Sequence, residues 1–121
     1  MKVLIVDDDP DVRRIAQICL EQLGGMKVVE ASSADEGLAQ AAAERPDVVL
    51  LDIMMPRVDG LAALASLRAN PATAMIPVVF LTARSAEDRD SLLRRTGARG
   101  LLTKPFDPTT LANELRAILG A

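Results

Sequence analysis

The chain has 121 residues, half of them apolar, a formal charge of −3, no histidine and a single cysteine. That is the size of one domain with a real hydrophobic core, and it is too apolar for a disordered chain. The mild charge and scattered arginines argue against broad binding to a nucleic-acid backbone, and Cys19 alone allows no internal disulfide.

The predicted elements alternate strand and helix from end to end. Lys2–Val6 reads as strand 1, because Val3-Leu4-Ile5-Val6 is a short unbroken apolar run. Asp7-Asp8-Asp9 follows, with Asp9 placed as an N-cap and Pro10 at the first helical position. Helix 1 runs to about Leu23 and stops at Gly24-Gly25. Cys19 falls on its apolar face with Val12, Ile15, Ala16 and Leu23, which makes it a core residue. Strand 2, Lys27–Glu30, is short and partly polar, as an edge strand would be. Ser32 or Ser33 caps helix 2, which ends at Arg45 before Pro46.

Strand 3, Asp47–Leu51, is apolar enough to be buried on both faces, and Asp52 stands where it stops. A loop with Pro56 and Gly60 leads to helix 3, about Leu61–Ala69, closed by Asn70-Pro71. Strand 4 is about Pro77–Leu81 and runs into Thr82. Ser85 caps helix 4, with Asp88 as a weak capping box, and the helix ends before Gly97. Strand 5, Gly100–Thr103, runs into Lys104-Pro105-Phe106. Asp107 is placed as the cap of helix 5, with Pro108 at its first position and Leu111, Leu115, Ile118 and Leu119 on one face.

Five strand–helix units predict an α/β protein, a doubly wound parallel five-stranded (βα)5 sheet with helices on both faces. No repeat, low-complexity segment or linker interrupts it, so residues 1–121 are expected to form a single domain. Met1-Lys2 leads straight into a strand without a leader pattern, and no apolar stretch approaches the ~20 residues of a membrane span. The expectation is a soluble, cytoplasmic chain with no membrane partner.

Ligands of such sheets bind at the carboxyl ends of the strands. Here those ends deliver Asp7 and Asp8, Asp52, Thr82 and Lys104, the last one of only three lysines against eleven arginines. Three converging carboxylates repel strongly; near a surface two charges about 4 Å apart interact by about 4 kcal/mol. They must stay apart, take up a proton or hold a cation. Oxygen-only ligands at a hydrated rim suit Mg²⁺ or Mn²⁺, and Zn²⁺ fits poorly without histidine. Capping explains Asp9, and Asp11 falls at the helix's positive end, but neither reading accounts for Asp7 and Asp8. A hydroxyl and an ammonium on one side, with a metal on the other, can surround phosphoryl oxygens around a carboxylate nucleophile.

Val6-Asp7-Asp8, Leu51-Asp52-Ile53-Met54-Met55-Pro56 with Asp59-Gly60, Leu81-Thr82-Ala83 and Lys104-Pro105-Phe106 together resemble the receiver domain of two-component response regulators. The resemblance runs from Val3 to Leu119 and implies a flavodoxin-like strand order, 2-1-3-4-5. It implies that Asp52 is the phosphoacceptor for a histidine kinase or histidine phosphotransfer protein. It further implies that Asp7, Asp8, Asp52 and the backbone carbonyl of Met54 hold Mg²⁺ (or Mn²⁺), and that Thr82 and Lys104 contact the phosphoryl group. The Lys104–Pro105 bond is expected to be cis. Such a chain catalyses its own phosphorylation and dephosphorylation but is primarily a signalling protein, and its helix 4–strand 5–helix 5 face meets a downstream protein target.

Two departures stand out. Leu101 occupies the position three before the lysine where the family often has Tyr or Phe, so signalling is expected to rely on Thr82 and the loop Ala83–Ser85. Gly97-Ala98-Arg99-Gly100 replaces the acids that support a dimer in receivers fused to DNA-binding domains, which favours a stand-alone receiver or one cut from a larger protein, monomeric or weakly dimeric, with no direct nucleic-acid contact. The resemblance also implies that Met54 and Arg84, two residues past Asp52 and Thr82, flank the path of attacking water, and they are expected to tune the phosphate lifetime. The main rival is a non-phosphorylated pseudo-receiver acting only as an interaction module. A dehalogenase-type phosphatase would want a second Asp at position 54, and a dinucleotide site would want a glycine-rich turn after strand 1.

Overall fold

The computed structural model describes residues 1–55, 60–82 and 89–120. Its strands are β1 (Lys2–Val6), β2 (Lys27–Ala31), β3 (Val48–Asp52), β4 (Val78–Thr82) and β5 (Gly100–Thr103). All pair in parallel, in the order β2-β1-β3-β4-β5, so the doubly wound α/β fold and the 2-1-3-4-5 order hold, with β2 at an edge. The helices are α1 (Pro10–Ile18), α2 (Ala34–Glu44), α3 (Gly60–Ala69), α4 (Arg89–Thr96) and α5 (Leu111–Leu119).

Alternating strand residues feed two cores. Leu4, Val6, Val49, Leu51 and Phe80 face Ala34 and Ala41 of α2, Ala63, Leu64 and Leu67 of α3, and Leu92 of α4. Val3, Ile5, Leu50, Val79 and Leu81 face Ala16 of α1 and Leu111, Ala112 and Leu115 of α5. Every residue of β3 and β4 is buried, which is why their sequences read as continuous apolar runs. Each fully buried Leu or Phe stabilises the fold by roughly 1.5–3 kcal/mol. Cys19 is buried in the second core, and burial together with the Asp107 charge pushes its thiol pKa up.

Several boundaries differ from the sequence reading. Asp52 and Thr82 are the last residues of their strands and not the first beyond them: Asp52 is in register with Leu81, and Thr82 with Thr103. Pairing reaches these residues because the next strand runs at least as far: β4 extends one residue past the partner of Asp52, and β5 ends level with Thr82. Helix 1 is α-helical only to Ile18, and Cys19–Leu23 continues it as a π-helical turn. Asp107 does not cap α5 directly. Its carboxylate accepts from the Thr109 N–H and hydroxyl, at 2.9 and 2.6 Å, and so caps a turn over residues 108–110, while Thr110 takes the N-cap position. Those bonds hold the exposed Asp107 pKa low. Asp9 and Ser33 cap α1 and α2 as read, through the Asp11 and Glu36 N–H groups. The expectations for Pro56, Asp59, Ala83, Arg84, Ser85 and Asp88 lie outside the described residues.

Candidate functional site

Parallel pairing brings the ends of β1, β3, β4 and β5 to one rim. Asp7, one residue past β1, is 0% exposed, Asp52 3% and Thr82 1%, whereas Asp8 points to solvent. Asp7, Asp8 and Asp52 each offer a carboxylate oxygen, and the three lie within 4.8 Å of one another. Lys104 arrives from β5, its Nζ 2.6 Å from Asp7 Oδ2 and 3.4 Å from Asp52 Oδ2. The Lys104–Pro105 bond is cis. The Asp7, Asp8 and Asp52 carboxylates and the Lys104 ammonium therefore meet at one rim, and Thr82 ends β4 at the same rim.

Each acid has its own support. Asp7 donates its N–H to the Ala31 carbonyl at 3.1 Å, and its Oδ1 accepts from the Asp9 N–H at 2.9 Å. Asp52 Oδ1 accepts from the Met54 N–H at 3.1 Å, so the chain turns back beside it. This places Met54 next to Asp52 with its side chain 66% exposed. At the start of α3, Gly60 donates its N–H to the Ile53 carbonyl at 2.9 Å. A Cβ at Gly60 would lie 2.5 Å from the Asp52 carbonyl oxygen and 2.7 Å from Ile53 Cα, so only glycine fits beneath the acid.

The electrostatics follow from burial. Asp52 has its pKa raised, first by burial and then by the Asp7 charge, against the opposing Met54 N–H bond and the Lys104 ammonium. Burial works against the Lys104 ammonium too, but its pairs with Asp7 and Asp52 outweigh burial and raise its pKa. The rim thus holds a buried anion that gains from any added cation.

A family model for the response regulator receiver domain matches residues 3–116. The chain belongs to the response regulator receiver family. Protein PilH of Pseudomonas aeruginosa is 39% identical over 118 residues, covering 98% of this chain and 97% of that one. Response regulator Rre1 of Synechocystis sp. is 40% identical over 119 residues, covering 98% of this chain and 52% of Rre1. This receiver thus spans nearly all of one relative but about half the length of others. Chemotaxis protein CheY4 of Vibrio cholerae superposes with a TM-score of 0.86 at 32% identity, covering 97% of both chains.

Receiver domains generally bind Mg²⁺, and the residues here fit that ion. Three carboxylates without a sulfur or imidazole make a hard, oxygen-only donor set, and Asp8 lies on the solvent side where hydrated Mg²⁺ keeps waters. No described helix is long and apolar enough to cross a membrane. Sequence reasoning missed Arg13, which reaches back from α1 to donate through Nη1 to the Asp7 carbonyl at 2.6 Å. No local pattern distinguishes it from Arg14 beside it.

Proposed function

We propose that this receiver is a Mg²⁺-dependent phosphorylation switch in which Asp52 accepts a phosphoryl group from a histidine kinase or histidine phosphotransfer protein. The observation that carries the reading is the buried Asp52 carboxylate facing Asp7, Asp8 and Lys104 at one strand-end rim. Asp7, Asp8, Asp52 and the Met54 carbonyl hold the metal, for which Mn²⁺ can substitute. When bound, Mg²⁺ supplies charge neutralisation for phosphoryl oxygens. An Asp52 carboxylate oxygen attacks phosphorus; the new P–O bond forms as the bond to the donor's imidazole nitrogen breaks, and the imidazole leaves with the electron pair. Lys104 offsets charge on the transferred group, and the Thr82 hydroxyl donates to one of its oxygens. Burial of Asp52 keeps bulk water from competing with these groups.

The output surface is the face formed by α4, β5 and α5, whose affinity for a downstream protein changes with phosphorylation. A cleft of about 500 Å³ on it is lined by Leu102, Pro105, Glu114 and Ile118. Residues 1–121 act as one receiver domain, monomeric or weakly dimeric, without direct nucleic-acid contact. Incubation with acetyl phosphate and Mg²⁺, read by intact mass, tests the reading. A gain of one phosphoryl group that disappears in Asp52→Asn supports it. No gain under conditions that label an established receiver overturns it in favour of an interaction-only pseudo-receiver.

A further inference from the structure

Asp8 has an unusual status among the acids. Its carboxylate lies within 4.8 Å of those of Asp7 and Asp52, yet it is exposed, and no described residue hydrogen-bonds it. Its placement therefore comes from the backbone, above all from the peptide that joins it to Asp7. The carbonyl of that peptide is gripped by Arg13 Nη1 at 2.6 Å. Arg13 is itself fixed: its side chain is only 17% exposed, and its Nε lies 3.4 Å from Glu30 Oε1 on β2. Glu30 is in register with Ile5 of β1. One planar guanidinium thus ties α1, the end of β1 and the edge strand together, pointing donors in two directions at once.

We propose that Arg13 is a positioning residue for the metal site, holding the Asp7–Asp8 peptide so that the Asp8 carboxylate faces Asp52. The inference rests on the Mg²⁺-dependent receiver reading and deepens it. A geometric role and a purely electrostatic one have opposite signs. A guanidinium beside an acid cluster opposes a second cation, so deleting a mere charge would tighten Mg²⁺ binding. Deleting a positioning group frees the peptide to rotate and weakens it.

Isothermal titration of the full chain with Mg²⁺, checked with Mn²⁺ by electron paramagnetic resonance, separates the two. Arg13→Gln is expected to weaken Mg²⁺ binding by about tenfold, the range seen when a group supporting a metal ligand is lost. Circular dichroism checks that the variant is folded. Unchanged or tighter binding in the folded variant overturns the proposal. If Arg13→Gln does not fold, Arg13→Lys serves instead. It keeps the charge but cannot span the Asp7 carbonyl and Glu30 together, so weakened binding supports the proposal and wild-type binding overturns it. A wild-type chain that fails to bind Mg²⁺ or to take up phosphoryl overturns the receiver reading as well. A wild-type chain that does both, beside an Arg13→Gln chain that binds Mg²⁺ equally well, overturns the role of Arg13 alone.

Discussion

Asp52→Asn is expected to stabilise the metal-free fold. Asp52 is 3% exposed, with its charge repelled by Asp7 and attracted by Lys104 at 3.4 Å. In a medium of effective dielectric near 20, the repulsion across 4.8 Å is about 3.5 kcal/mol or more. The Lys104 attraction is about 5 kcal/mol on the same scale, so the two nearly cancel. What remains is the repulsion from Asp8, screened by its exposure, and the cost of burying an ion, several kcal/mol before the Met54 bond offsets part of it. Asparagine removes that cost yet still accepts from the Met54 N–H, and Lys104 keeps its closer partner, Asp7 at 2.6 Å. The net gain is on the order of 1–2 kcal/mol, or about 3–8 °C in Tm for a domain of this size. Calorimetry or far-UV circular dichroism is the assay, because the chain has no Trp or Tyr. Saturating Mg²⁺ should then reverse the ranking: at 100 times its Kd a ligand adds about 2.7 kcal/mol to the wild type. An Asp52→Asn chain less stable than wild type in metal-free buffer would refute the account of a buried, under-compensated charge.

The opposite sign is expected at Lys104. Lys104→Ala leaves the fully buried Asp7 carboxylate without its ammonium and should cost about 3–5 kcal/mol in a urea titration. The raised Asp52 pKa fixes a pH dependence. Between the ordinary value of 3.8 and the raised one, the folded chain holds a proton that the unfolded chain has lost. The contribution of this group to stability is therefore full below 3.8 and fades as pH rises through the folded value. Thermal denaturation in metal-free buffer should therefore show the wild type losing stability relative to Asp52→Asn as pH rises above 3.8; a difference that stays flat from pH 3.8 to about 7 contradicts this. Gly60→Ala forces a Cβ against the Asp52 carbonyl and should cost about 1–3 kcal/mol of stability while slowing phosphorylation, measured by denaturation and by mass. Leu101→Ala opens space in the first core and should cost about 2–5 kcal/mol. In the same variant phosphorylation should persist; if partner binding vanished while labelling stayed intact, the reliance on Thr82 and its loop would be wrong.

Much of this protein was legible in the chain. Apolar runs of strand length, ending in an acid, a hydroxyl or a lysine, located β1, β3, β4 and β5 and the residues at their ends, because burial forces a continuous apolar pattern; β2, half-buried at the edge, was legible as a short, partly polar strand. Asp9-Pro10 and Ser33 marked helix starts because capping is a contact within one turn. Asp107 misled for the same reason: its bonds to Thr109 are equally local and served a preceding turn. What the tertiary structure decided are the pairings between distant segments. That Lys104 sits closer to Asp7 than to Asp52, across 97 residues, follows from how β5 docks beyond β4. That Asp7 is buried while Asp8 is exposed follows from packing at the end of β1. Arg13 gains its grip on the Asp7 carbonyl only because Glu30 comes alongside on β2. Sequence periodicity records which face of an element is buried; only the packed sheet sets which charges meet, and at what distance.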